Sequence, residues 1–293
     1  MDFSAHNILL SNGQKTIPTI KNTLSESMVM KAVKSSLNNF INLKENEAKN
    51  IKIVDIGCME GGYSSEFAKM GFNTLGIDAR KENLLKSTYI KLNLKLNNLK
   101  FVKDDARNLA KYGEFDISFC FGLLYHLDNP INFLKIVANQ TKKMLILHTY
   151  YAYDEKEDYQ YYLEHSFNKV FKNINSQKRK EFNESEYQKD KYTPYIQYPK
   201  NYDLSKKITE NEGYKGRWFH EWREDTKQER IEAMHGAAYN NNKSFWLCKS
   251  EIIRALYDSG FSNVYEQLDD IGELSRDTPS FYYPRTLLVA IKN

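Results

Sequence analysis

Residues 53–78, IVDIGCMEGGYSSEFAKMGFNTLGID, pass from an apolar run through a glycine-containing turn into a helix-like stretch, then into a second apolar run that ends on an acid. The first run, IKIVDIG from residue 51, lacks the alternation of a half-exposed strand and predicts one covered on both faces. YSSEFAKMG predicts a helix closed by Gly71, and NTLGID predicts the next strand. The order continues downstream. KENLLKSTYIKLNLKLN is helical, LKFVKDD and FDISFCFG are strands, NPINFLKIVANQ is a helix opening near Pro130, and KMLILHTY is a strand. Such alternation predicts an α/β fold, a parallel sheet covered by helices on both faces with right-handed crossovers.

The remainder arranges itself around that unit. Residues 1–49 carry one helical pattern, SESMVMKAVKSSLNNFINL, with Met28, Val29, Val33, Leu37, Phe40 and Ile41 on one side. From 151 to 243 the alternation stops. This stretch is polar, and twelve of the chain's 21 tyrosines fall between Tyr150 and Tyr214. It has no strong buried-strand signal and interrupts the sheet at the edge where such folds bind ligands, so it is read as a substrate-covering insertion, with a structural appendage or a dimerisation arm as the alternatives. SFWLCKSEIIRALYDSGF then predicts a helix ending at Gly260, followed by strands NVYEQL and RTLLVAIK, the last antiparallel. Residues 50–150 with 244–293 therefore form the ligand-binding domain.

With 293 residues, 41% hydrophobic and 14% aromatic, the chain has enough apolar material for a packed core. No apolar run is long enough to span a bilayer, and no membrane partner is expected. Cys58, Cys120 and Cys248 are widely spaced, which points to reduced thiols and a cytoplasmic setting. No spacing predicts a metal. The net charge of +4 is slight, and the basic stretch 172–191 is interleaved with acids, which reads as a solvated helix face and disfavours nucleic acid. Nothing in the sequence speaks to oligomeric state.

Ligands of open parallel sheets lie beyond the carboxyl ends of the strands. Asp55, Gly57, Cys58 and Gly61 fall at the first of these ends, and Asp78, 21 residues past Gly57, ends the second where it can accept hydrogen bonds from a ribose diol. Asp104 and Asp105 end the third strand. Phe121 and Gly122 end the fourth, with Tyr125 and His126 beyond, and His148 ends the fifth. A glycine turn followed by an acid fits a dinucleotide or an adenosine sulfonium. In GCMEGG, Met59 stands where a second glycine would admit a pyrophosphate, and Glu60 would repel one. S-adenosylmethionine, with a cationic sulfur and no phosphate, is the expected cofactor.

The array VDIGCMEGGYSSEFAKMGFNTLGIDAR, FVKDDARNL, FDISFCFGLLYHL and LILHTYY resembles the class I S-adenosylmethionine-dependent methyltransferases, strongly over residues 50–150. The resemblance implies a Rossmann-like three-layer sandwich with a seven-stranded, mostly parallel sheet, its last strand reversed. It implies that the turn at Gly57 and Gly61, with Asp55 before it, holds the methionine part, that Asp78 binds the ribose, that Asp105 and Ala106 meet the adenine, and that Phe121 and Gly122 line the methionine side. The GLLYHL stretch resembles members acting on small molecules, and also some tRNA modifiers. Met59 departs from the family pattern.

Methyl transfer to an oxygen or nitrogen of a small molecule is the expected reaction. His126 is the first candidate base, with His148 and Tyr125 as further catalytic candidates; histidine suits proton removal near neutrality. Against this, His126 could simply bond Asp128 or a loop carbonyl. Acceptor contacts are expected from Tyr150 and Tyr151, which follow the fifth strand, and from YKGRWFHEW (214–222), where Tyr214, Arg217, Trp218 and His220 cluster. The same cluster could instead be a helix or loop anchored by its tryptophans. Three rival functions are a tRNA-modifying methyltransferase, an inactive cofactor-binding scaffold of the same fold, and a nicotinamide dehydrogenase.

Overall fold

The computed structural model of the chain describes residues 2–41, 48–154, 204–205, 207–267 and 285–293. Its centre is a seven-stranded sheet in the order β3-β2-β1-β4-β5-β10-β9. The strands are β1 (Lys52–Ile56), β2 (Asn73–Asp78), β3 (Leu99–Lys103), β4 (Phe115–Phe121), β5 (Thr141–Tyr150), β9 (Asn263–Glu266) and β10 (Arg285–Ile291). The first five pair in parallel. β10 runs antiparallel to both β5 and β9. This is the expected Rossmann-like sheet with its last strand reversed. Strand order turns back between β1 and β4, which places the ligand crevice at the carboxyl ends of those two strands.

Both faces are covered because both carry apolar side chains. On one face, α1 (Met28–Phe40) lays Met30, Val33 and Leu37 against Ile53, Phe67, Phe119, Ile146 and Val289. Its N-terminus is capped by the Ser27 hydroxyl, which accepts from the Met30 amide. On the other face, α4 (Pro130–Gln140) and α6 (Lys249–Asp258) pack Leu134, Val137, Ile252 and Leu256 onto Val54, Ile56, Leu145 and Leu288. The connecting helices α2 (Gly62–Lys69) and α3 (Lys81–Leu94) follow β1 and β2. Cys58, Cys120 and Cys248 are buried and unpaired. Among the described residues, no helix is long and apolar enough to cross a membrane.

Two sequence-based expectations need correction. The YKGRWFH stretch is a strand, β7 (Tyr214–His220), and KSFWL is another, β8 (Lys243–Leu247), so the helix predicted from Ser244 begins only at Lys249. With β6 (Thr209–Asn211) these make a three-stranded antiparallel sheet, and a short helix α5 (Gln228–Ala233) lies between β7 and β8. The Tyr-rich run after Asp154, up to 203, lies outside the described residues, as does the basic stretch 172–191. The small sheet is tied to the large one at two points. The Ala152 amide donates to Leu247 O beyond the end of β5, and the Phe245 amide donates to Leu127 O in the loop beyond β4. Those ties bring the far end of β7 over the crevice.

Candidate active site

A cavity of about 440 Å³ opens at the carboxyl ends of β1, β2, β3 and β4. Its wall is built strand by strand. After β1, the amides of Gly57 and Cys58 both donate to Ile77 O at 2.9 Å, which folds the turn back onto β2. Met59 takes a left-handed backbone (φ +50°), unusual for a side chain of that size, and its amide donates to Asp78 Oδ2 at 2.9 Å. Gly61 (φ +77°) could carry no side chain, since a Cβ would sit 2.6 Å from Ser87 Cβ and 2.7 Å from the Phe101 ring. The turn that departs from the family pattern at Met59 is thus secured through Asp78.

The carboxylates differ in how they are held. Asp55 is buried, its Oδ2 accepts from Ser64 Oγ at 2.5 Å, and burial pushes its carboxyl up to about 7. Burial also raises Asp78, against the amides of Arg80 and Met59 and the Asn83 side chain that donate to it. Burial acts the same way on Asp105, but the Arg107 guanidinium, bonded through Nε and Nη2, overcomes it and holds that carboxyl below its usual value. Asp105 also accepts from the Asn240 side-chain amide. Asp104 is drawn down to about 2 by Asn108 and Tyr112 and serves the local turn.

Glu60 requires a correction. Its carboxylate is fully buried and is not on the cavity wall. It accepts from the backbone amides of Ser4, Ala5 and His6 and from Lys86 Nζ at 3.1 Å. The repulsion of a phosphate therefore cannot rest on Glu60. What the cavity does present is Asp55, Asp78, Asp104 and Asp105, while its two arginines are turned to internal partners. Arg80 Nη2 donates to Ala237 O at 2.8 Å, and Arg107 holds Asp105. A wall of four carboxylates suits a cationic ligand with hydroxyls better than a pyrophosphate.

Beyond β4, the short helical turn Leu124–His126 points His126 into the cavity. Its Nδ1 lies 2.9 Å from Glu221 Oε1, and Glu221 comes from just past β7, 95 residues away in the chain. Glu221 is buried, and its oxygens also accept from Ser244 Oγ at 2.7 Å and the Ala238 amide at 3.0 Å. With donors on both oxygens, the carboxylate acts as an acceptor toward the imidazole. Nδ1 then carries the proton and Nε2 keeps its lone pair. This partner is neither Asp128 nor a loop carbonyl.

Loop 235–241 closes the cavity from the insertion side and touches both halves of it. Asn240 reaches Asp105, Asn241 donates to His126 O at 2.9 Å, and Ala238 donates to Glu221. Ala5, His6 and Leu24 wall the cavity from the N-terminal side. Neither segment carries a motif readable from its own composition.

Asp55, Gly57, Cys58, Asp78, Asp105, Ala106, Phe121, Gly122, Tyr125 and His126 all line this cavity, whereas Gly61 supports the turn from behind. Other sequence-derived candidates lie elsewhere. His148 is buried behind Phe121, its ring stacked on that phenyl at 3.9 Å, with no hydrogen-bond partner at either ring nitrogen among the described residues. Burial, helped by Arg285, lowers it to about 3. Tyr150 stacks on Trp246 at 5.4 Å and meets Tyr125 at 4.5 Å. Tyr151 lies 5.7 Å beneath Lys249 Nζ. Tyr214 donates to Asp258, Arg217 is buried and donates to the carbonyls of Tyr153 and Ser205, and Trp218 packs on Phe245. These residues and His220 are not on the described cavity wall. Among the described residues no cluster of three or more His, Cys, Asp or Glu could hold a metal.

A family model described as a methyltransferase domain matches residues 47–229, more than half of the chain. The chain belongs to that methyltransferase domain family. The chain is 31% identical over 104 residues to the ubiquinone biosynthesis O-methyltransferase of Rickettsia typhi, covering 35% of this chain and 41% of that protein. It is 32% identical over 118 residues to the tRNA U34 carboxymethyltransferase of Campylobacter jejuni (strain RM1221), covering 38% and 40% respectively. The chain thus spans about two fifths of the length of these curated relatives. Among solved structures, the N-terminal domain of EvdMO1 crystallised in the presence of SAH and D-fucose has a similar fold. Its TM-score is 0.59 at 16% identity, covering 98% of this chain and 90% of that one.

Proposed function

We propose that this methyltransferase uses S-adenosylmethionine to methylate an oxygen or nitrogen of a small-molecule acceptor. The observation that carries the reading is the His126–Glu221 pair, at 2.9 Å, on the wall of the same cavity as Asp55 and Asp78. The residues fit the cofactor. Asp78 offers acceptor capacity to the ribose hydroxyls, Asp105 and Ala106 with Asn240 border the adenine end, and Asp55, Gly57, Cys58, Phe121 and Gly122 border the methionine end. The bound cofactor supplies a methyl group on a cationic sulfur. His126 Nε2 accepts the acceptor's proton as its oxygen or nitrogen attacks, and Glu221 stabilises the imidazolium that forms. His148, buried behind Phe121 and lowered by that burial to about 3, is too weak a base for this step. Tyr125 borders the acceptor side, and loop 235–241 covers it.

Transfer of radiolabelled methyl from S-adenosylmethionine to fractionated cell extract tests the reading. Label is expected in the small-molecule fraction. Label confined to tRNA would replace it with the second reading, which the likeness to a tRNA U34 carboxymethyltransferase favours.

The protonation of Asp55 gives a further expected result. Burial pushes its carboxyl up to about 7, and a cationic ligand favours the ionised form. Affinity for S-adenosylmethionine is therefore expected to be flat above about pH 7 and to fall about tenfold per pH unit below it, with one proton released on binding. Calorimetry in buffers of different ionisation heat measures that proton. Asp55→Asn should abolish the slope, and a slope that survives in this variant would exclude Asp55 as its source.

A further inference from the structure

Helix α3 has apolar residues on both faces. Ile90 is buried, while Leu85, Tyr89 and Leu92 are 54%, 38% and 68% exposed. Their spacing of four and three residues puts the exposed three on one side of the helix. Single exposed leucines need no explanation, but a row of them does. The row is extended by the N-terminal segment. The Phe3 ring lies 6.2 Å from Tyr89, Ser11 Oγ donates to Asn93 O at 2.7 Å, and Leu9, two residues before Ser11, is 48% exposed.

The charge around this row is one-sided. Residues 81–103 contain six lysines against Glu82 alone, a net +5 in a chain whose total is +4. Lys86 turns inward to Glu60, but Lys81, Lys95, Lys100 and Lys103 are exposed and Lys91 is half-exposed. Residues 3–22 add Lys15 and Lys21 and contain no acid.

We infer that this face is a docking surface for an anionic lipid bilayer. Lysines ringing exposed leucines match such a surface, where lysines meet anionic headgroups and apolar side chains enter the boundary of the acyl region. A nucleic acid fits less well. Neither segment contains arginine, the centre of the patch is aliphatic, and its one exposed aromatic ring on α3 leans on Phe3. A second copy of the chain would oppose two faces of the same positive charge. The segment holding Phe3 and Leu9 also supplies Ala5 and His6 to the cavity wall, so the surface borders the site. This replaces the expectation of no membrane partner, which rested on the lack of an apolar run long enough to span a bilayer and did not bear on contact with its surface.

Co-sedimentation with vesicles tests the inference. The full chain should bind vesicles of about one-third phosphatidylglycerol in phosphatidylcholine and not vesicles of phosphatidylcholine alone. Binding should weaken at least about tenfold in Lys91→Glu/Lys95→Glu and be lost near 0.5 M salt, where screening is short-ranged. Leu85→Asp/Leu92→Asp should weaken it comparably. Affinity for S-adenosylhomocysteine, measured on each variant, should stay at the wild-type value and so report an intact fold. No binding to the anionic vesicles overturns the inference. So does equal binding to both vesicle types. A salt-sensitive complex with bulk tRNA that the lysine changes abolish and the leucine changes spare would reassign the face to nucleic acid. A dimer broken by Leu85→Asp/Leu92→Asp would reassign it to self-association.

Discussion

Glu221→Gln is expected to lower turnover by about 10²–10⁴-fold while leaving cofactor affinity within about a factor of two. The reason is the tautomer. Glu221 is purely an acceptor toward His126 Nδ1, so the proton stays on Nδ1 and the lone pair stays on Nε2, available to the acceptor. A glutamine at 221 is close in size and keeps an oxygen for the Ser244 hydroxyl or the Ala238 amide, but its NH₂ group donates. Donation to Nδ1 forces the proton onto Nε2 and removes the base without removing the ring. His126→Ala should cost a similar factor. The pairing observation is a buried carboxylate with donors on both oxygens and an imidazole against one of them. Steady-state rates and melting temperatures of both variants, measured with an acceptor found by the labelling experiment, check this. Unimpaired turnover in either one would reduce the pair to a structural tie between β7 and the loop after β4.

Asp78→Ala is expected to weaken cofactor binding by at least about 100-fold, the scale of losing two hydrogen bonds to a charged group. Asp78 has two tasks. It anchors the turn after β1 by accepting from the Met59 amide, and under the proposed function it also accepts from the ribose. Because Met59 sits in a left-handed backbone that its side chain does not favour, the turn depends on that hydrogen bond more than a glycine turn would. Asp78→Asn keeps an acceptor and should lose less than the alanine variant. Equilibrium binding of S-adenosylhomocysteine, with circular dichroism to confirm the fold, measures both. Wild-type affinity in Asp78→Ala would show that the ribose is held elsewhere.

The sheet and the carboxylate rim were legible in the sequence for one physical reason. Strands buried on both faces read as unbroken apolar runs, and in a parallel sheet each run ends on the same edge, so Asp55, Asp78, Asp105 and His126 could be gathered there without knowledge of any contact. The acceptor side was less legible. KSFWL is a short apolar run that serves equally as a strand or as the first turn of the helix that follows it, and β7 is flanked by polar sequence that hides its alternation. Without these two strands the sequence gives no sign that Glu221 reaches His126, since the pair is 95 residues apart and joined through the small sheet. Arg217 and Tyr214 drew attention as exposed binding chemistry, yet both are used inside the fold. Glu60 was misjudged for the same reason. Its neighbours in the chain show a charge at a phosphate's position, whereas its partners come from residues 4–6 and Lys86.

Under the proposed function, strand-end carboxylates grip adenosine in this cavity and the cationic sulfur faces His126. Calorimetric titration of the full chain with S-adenosylmethionine, and with NAD as the competitor, tests this most directly. Saturable one-site binding of the methyl donor that NAD does not displace is the expected result. Absence of binding by the methyl donor, or its displacement by NAD, would contradict it.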